Sequence, residues 1–189
     1  MRITQVRALN LADQVVLVRI QTDAGIEGIG EASPMFPAII CSVVNNVLSP
    51  ILEEQNPLEI ERLCDAMLYS RRRQFCNYKL GPQGALTSAI AGAECALWDI
   101  MGKALGQPIY ALLGGQYRPR VAVYASMALV QEKTPEAWAV RAQEFVEQGF
   151  GAVKLGIGRE WGYDAGQDDP VAIVRSVREA VGDTVEILV

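Results

Sequence analysis

Histidine is absent from the 189 residues of this chain. Any mechanism that needs an imidazole is therefore closed to these residues acting alone. Long apolar runs are missing too, and no stretch approaches the roughly 18 residues that a membrane span requires. The N-terminus, MRITQVRALNLADQVVLVRI, does not read as a secretory leader, because Arg7, Asp13 and Arg19 interrupt each apolar run. Neither sign of charge is in large excess: 17 basic residues face 22 acidic ones, a net of −5. That balance gives no support to wholesale binding of nucleic acid or anionic membrane, whereas small anions are caught by local charge. No G-x-G-x-x-G follows a strand-like run, which weakens a dinucleotide-binding reading. The four cysteines (Cys41, Cys64, Cys76, Cys95) contain no C-x-x-C pair, and Cys64 and Cys95 fall in helix-like apolar patterns. Reduced core thiols and a cytoplasmic location are the expectation.

What is present is a hydrophobic fraction of 50%, ample for one or two cores. Residues 3–32 read as a β-meander. Val16, Val18 and Ile20 alternate with Leu17, Arg19 and Gln21, and TDAGIEG supplies a turn before IGEAS. The period then changes. In PLEIERLCDAMLYSRRR, the residues Ile60, Leu63, Cys64, Met67 and Leu68 recur at helical spacing. TSAIAGAECALWDIMGKAL repeats that pattern through Ile90, Leu97, Met101 and Leu105, with a stop near Gly106 and Pro108. Strands followed by helices make residues 1–115 an α+β domain.

Residues 116–189 follow a different rule. VAVYAS (121–126) reads as a strand, Thr134-Pro135 as an N-cap and first helical residue, and Gly149 as a helix stop. AVKLGIG is a second strand, Asp169-Pro170 opens a helix that Gly182 ends, and TVEILV is a third strand. The three strands begin roughly 31 residues apart, each pair separated by one helix. This is the βαβαβ rhythm of a parallel sheet, open or closed into a (β/α) barrel. Three parallel strands cannot close a barrel, and an apolar edge such as VEILV invites a partner. The sequence is therefore expected to be a piece of a longer protein.

The run GALTSAIAGAECALWDIMGKALGQPIYALLGGQYRPRVAVYAS, followed by GFGAVKLGIG and AIVRSVREAVG, resembles the mandelate racemase/muconate lactonizing enzyme group of the enolase superfamily. The similarity extends to TDAGIEGIGEAS in the meander, so it covers essentially the whole chain. The resemblance implies an α+β capping domain followed by the first βαβαβ portion of a modified TIM (β/α) barrel. Active sites of such barrels lie at the C-terminal ends of the strands. The implied chemistry is Mg²⁺-assisted removal of the proton α to a carboxylate in a hydroxy or sugar acid. An acid-sugar dehydratase is the leading expectation; a cycloisomerase or a racemase/epimerase is the alternative, and a non-catalytic fragment is a further one. A small-molecule carboxylate partner and a homo-oligomer are expected. The resemblance puts the metal carboxylates beyond Val189, and none within this chain.

On strand 152–157, Val153, Leu155 and Ile157 suit the helix-facing side, while Ala152, Lys154 and Gly156 form the interior set. An ammonium inside a barrel needs an anion, either a neighbouring carboxylate or the substrate's. The family commonly ends this strand in lysine-any-lysine, the first lysine holding the substrate carboxylate and the second acting as base. Lys154 matches the first and is the catalytic candidate; Gly156 stands where the second would be. Two-base racemisation from that face is thereby disfavoured. Ser126, at the end of the first barrel strand, is a substrate-contact candidate against simple packing. So are Arg73, in the basic-aromatic run RRRQFCNYK, and Ser33 and Phe36, in ASPMFPA (32–38), which reads as a lid loop stiffened by Pro34 and Pro37. Glu94 lies about 40° from Ile90 on the helix wheel. It is expected to be a buried acid paired with an arginine, ahead of a catalytic role.

Overall fold

A computed structural model describes residues 1–69, 84–127, 134–157 and 169–189. Arg73 and Cys76, with the rest of RRRQFCNYK, lie outside the described residues. The chain forms two compact units, Met1–Tyr117 and Arg118–Val189.

In the first unit, β1 (Ile3–Leu11), β2 (Val15–Thr22) and β3 (Glu27–Ala32) form an antiparallel sheet in that order. Alternation sets its two faces: Val16, Val18, Ile20 and Thr22 of β2 are buried, and the residues between them are half-buried. A helical stretch comes next: α1 (Pro37–Val43), a π-helical turn (Val44–Leu48) and α2 (Ser49–Leu52). The sequence reading assigned no helix here. Pro37 is the first residue of α1 rather than a loop stiffener, so the ASPMFPA loop is cut short at Phe36. Proline suits that position because its missing N–H has no partner in the first turn. α3 (Ile60–Tyr69) starts three residues inside PLEIERL and buries Ile60, Leu63 and Met67.

The long helix α4 (Ala85–Leu105) ends on Gly106 in the left-handed conformation, as its sequence predicts. Its buried face differs from the expected stripe. Ala89, Gly92, Ala93, Ala96 and Ile100 are buried beside Ile90 and Leu97, while Leu105 is exposed. The reason is close approach to the sheet. A Cβ added at Gly28 would stand 2.1 Å from the Ala96 carbonyl oxygen, and one at Gly30 2.1 Å from that of Gly92. Small residues on helix and strand let the two backbones meet, and such a face carries little hydrophobic signal. The same helix satisfies the outer strand's backbone: Asp99 accepts from the Ile29 N–H at 2.9 Å, and Lys103 donates to the Glu27 carbonyl at 2.7 Å. This covers groups that an edge strand otherwise offers to other chains. α5 (Ile109–Leu112) closes the unit's described helices.

In the second unit β4 (Ala125–Met127), β5 (Ala152–Leu155) and β6 (Glu186–Leu188) form a parallel sheet in the order β4-β5-β6. α6 (Pro135–Glu147) joins β4 to β5 and α7 (Pro170–Val181) joins β5 to β6. Both caps follow the sequence expectation. Thr134 accepts from the Ala137 N–H at 3.2 Å, and Asp169 accepts from the N–H groups of Val171 and Ala172, each at 3.0 Å. Gly149 adopts φ +94° just past α6. The core joins Ala125, Met127, Val153 and Leu155 to Trp138 and Ala142 of α6 and to Ile173 and Val177 of α7. All three strands are shorter than the apolar runs that predict them. Ala125 pairs with Val153, so residues 121–123 run ahead of the start of β5 and find no ladder there. Among the described residues no helix is long and apolar enough to cross a membrane.

Of the expected core thiols, Cys41 and Cys64 are half-buried, whereas Cys95 is exposed; all three are free. Cys95 sits on the side of α4 away from Ala96 and Leu97, which correctly places the helix but not the thiol. Glu94 is half-buried, and among the described residues it lies against the Cys64 thiol; Arg71, Arg72 and Arg73 lie outside the described residues. Desolvation, reinforced by the Glu94 and Glu61 charges, pushes that thiol up to about 12.

Candidate active site

Parity along β4 and β5 decides which side chains can meet. Val153 and Leu155 go into the helix-covered core, so Ala152, Lys154 and Gly156 belong to the opposite face. On β4, Ala125 and Met127 are buried and Ser126 is exposed, so Ser126 shares the face of Lys154. The two are direct register partners across the parallel ladder. Tyr124, two residues before Ser126, falls on this face as well. On β6, Glu186 pairs with Ala152 and Leu188 with Lys154, which brings a carboxylate to the same face.

The Lys154 ammonium donates to the Tyr124 hydroxyl at 3.4 Å and lies 5.1 Å from the centre of its ring. The hydrogen bond is long and weak alone, but the ring distance is within the range of a cation–π contact. None of the ion pairs among the described residues includes Lys154. A half-buried ammonium with hydroxyls beside it and, among the described residues, no carboxylate on it is chemically suited to receive an anion. The site thus gathers Lys154, Ser126 and Tyr124, with Glu186 one step away on the same face.

Ser33 and Phe36 belong to the first unit. Ser33 is half-buried, and its hydroxyl accepts from the Met35 N–H at 3.2 Å. Phe36 is 72% exposed and takes φ +58°, a left-handed conformation rare for a residue with a bulky side chain. That conformation lies at the turn where the chain enters α1, Phe36 being the residue just before the helix. Sequence reasoning assigned no role to Tyr124 or Glu186. Alternation along VAVYAS puts Tyr124 on the face of Ser126, whereas only the register of β6 against β5 reveals Glu186.

The donor set does not suit a hard dication. Mg²⁺ prefers carboxylate and water oxygens in octahedral array, whereas the described residues of this face present an ammonium, two hydroxyls and the single carboxylate of Glu186. Among the described residues no three His, Cys, Asp or Glu side chains converge into a metal-binding group. A concave region lined by Ala122, Val123, Phe150, Gly151, Ala152 and Glu186 lies at the N-terminal ends of the strands. That is the end opposite the one where parallel α/β sheets bind ligands.

A family model for the mandelate racemase / muconate lactonizing enzyme N-terminal domain matches residues 5–114. The chain is 36% identical over 189 residues to the D-galactonate dehydratase of Pectobacterium atrosepticum, covering 98% of this chain and 47% of that protein. It is 34% identical over 183 residues to the D-xylonate dehydratase of Haloferax volcanii, covering 91% of this chain and 42% of that one. Among solved structures, a mandelate racemase/muconate lactonizing protein from Paracoccus denitrificans complexed with magnesium matches with a TM-score of 0.83 and 36% identity. That match covers 98% of this chain and 50% of the other. The chain spans about half the length of the curated relatives it matches. Its parallel strands are the opening βαβαβ of a modified (β/α) barrel, preceded by an α+β capping domain. The chain belongs to the mandelate racemase / muconate lactonizing enzyme family of the enolase superfamily.

Proposed function

We propose that the whole protein to which this chain belongs is an acid-sugar dehydratase. Loss of the proton α to the carboxylate and of the neighbouring hydroxyl as water leaves an enol, which ketonises to a 2-keto-3-deoxy acid. The observation that carries the reading is Lys154, an ammonium on the interior face beside Ser126 that is paired with no carboxylate among the described residues. In this reading Lys154 receives the substrate carboxylate, and its charge stabilises the negative charge that grows there as the α-proton leaves. Ser126 offers a hydroxyl to the same ligand.

Gly156 supports a lyase over a racemase. It has no side chain where a base on this strand would stand, so the proton is taken from the opposite face by a group outside these residues. The dehydratases of Pectobacterium and Haloferax favour the same class at 36% and 34% identity. Mg²⁺ enters as a cofactor of the whole protein, supported by the Paracoccus relative complexed with magnesium; none of the described residues is assigned to it. Arg73, Ser33 and Phe36 remain proposed substrate contacts from the capping domain.

The test is a screen of the full-length protein against a library of acid sugars with Mg²⁺ present, following 2-keto acid formation. Dehydration of at least one member is expected. Epimerisation without dehydration, or no turnover of any member, overturns the reading.

A further inference from the structure

The geometry points to Tyr124 as the positioning residue for Lys154, a neutral aromatic cradle that holds the ammonium without neutralising it. The inference rests on the role of Lys154 proposed above and assigns the residue that makes that role workable.

A lysine side chain has four rotatable bonds and a strongly hydrated head, so it must be held if it is to meet a ligand in one geometry. Among the described residues, two groups on its face could hold it. Glu186 is one: it flanks Ala152 in the register, one step from Lys154, and its carboxylate would attract an ammonium most strongly. Tyr124 is the other, and the ammonium is found against Tyr124. The difference matters chemically. A carboxylate partner would have to be displaced, and its charge left unpaired, each time an anionic substrate arrived. A phenol accepts from the ammonium, and its ring attracts the cation through the quadrupole, yet the net charge stays +1. Tyr124 also keeps its own O–H for donation. Ala152, the small residue between Tyr124 and Glu186 in this layer, leaves room for the lysine to lean over it.

The test is a pair of double-mutant cycles in the full-length protein. Tyr124→Phe keeps the ring and removes the hydroxyl; Tyr124→Leu removes both; Lys154→Met removes the cation. On the best acid-sugar substrate, kcat/KM is expected to fall about threefold for Tyr124→Phe and about tenfold for Tyr124→Leu. Neither substitution is expected to lower it further in a Lys154→Met background, because a positioning residue acts only through what it positions. The second cycle reads the thermal unfolding midpoint and needs no turnover. The shift of Tyr124→Leu/Lys154→Met is expected to miss the sum of the single shifts by about 2 °C or more. Additive shifts in that cycle overturn the inference even if the enzyme is a dehydratase. Coupling that appears instead between Glu186→Gln and Lys154→Met also overturns it and names Glu186 as the partner. If no acid sugar is turned over, the proposed function fails while the thermal cycle still decides for or against Tyr124.

Discussion

Ser126 and Lys154 are direct partners in the parallel ladder between β4 and β5, so a hydroxyl and an ammonium share one face of the sheet. That face is opposite the one packed on α6 and α7. The relationship depends on register: a slip of one residue would exchange Ser126 for Ala125 or Met127 and leave the lysine beside an alkyl group. Burial of Ala125, Met127, Val153 and Leu155 among Trp138, Ile173 and Val177 is what forbids the slip.

Replacing Lys154 by methionine in the full-length protein is expected to lower turnover by about 10²- to 10³-fold, the scale for losing one charge-stabilising group. Methionine keeps most of the aliphatic stem, so the unfolding midpoint should move little. Steady-state assays beside thermal melts check both parts; near-normal turnover in a folded variant would leave Lys154 a packing residue.

Gly156 has a stereochemical consequence. If no base acts from that side, as the proposed function holds, deuterium from solvent should enter recovered substrate or product from one face only. Proton NMR of material recovered after partial reaction in heavy water reads the outcome. Exchange that scrambles both epimers would mean that another group supplies a base on the Lys154 side.

Cys64 carries a dependence on alkaline pH. Its thiol is raised from an ordinary value of 9.0 to about 12, first by burial, then by the charges of Glu94 and Glu61, the hydrogen bond to Glu94 and the charge of Asp65. Below 9.0 the thiol is protonated in folded and unfolded chains alike and contributes nothing. Between 9.0 and about 12 the unfolded chain releases this proton while the folded chain keeps it, so stability falls as pH rises. Urea midpoints at about pH 8 and about pH 10.5 should therefore diverge less in Cys64→Ala than in the parent. Glu94→Gln should speed alkylation of Cys64 only in part, because burial is the larger cause. An equal pH dependence in Cys64→Ala and the parent would count against this assignment.

Gly30 and Gly25 should respond differently to alanine. At Gly30 the new Cβ meets the Gly92 carbonyl oxygen at 2.1 Å, and only movement of a helix against the sheet relieves it. At Gly25 there is open space but a φ of +75°, so the cost is conformational. Gly30→Ala is expected to cost about 3 kcal/mol or more, and Gly25→Ala about 1 kcal/mol. Denaturant titration of the two variants ranks them, and a smaller loss for Gly30→Ala would contradict the close approach of α4 and β3.

Local chemistry in the chain was enough to predict the meander, the helix starts at Thr134-Pro135 and Asp169-Pro170, the stops at Gly106 and Gly149, and the inward parity of Lys154 and Ser126. Each of these follows from interactions within a few residues, or from the period of two that any strand obeys. Other features depended on contacts distant in sequence. The face that α4 buries follows from Gly28 and Gly30 admitting its backbone, and small residues leave no hydrophobic stripe to read. The helical stretch after Phe36 begins at a proline that reads equally well as loop. The short β4 follows from where β5 begins, and Cys95 turns outward because Ala96 and Leu97 take the core. The partner of Lys154 was also out of reach. Alternation puts Tyr124 and Ser126 on its face, but the choice of Tyr124 over Glu186 depends on how three strands align and where one long side chain leans, which is settled only when they pack together.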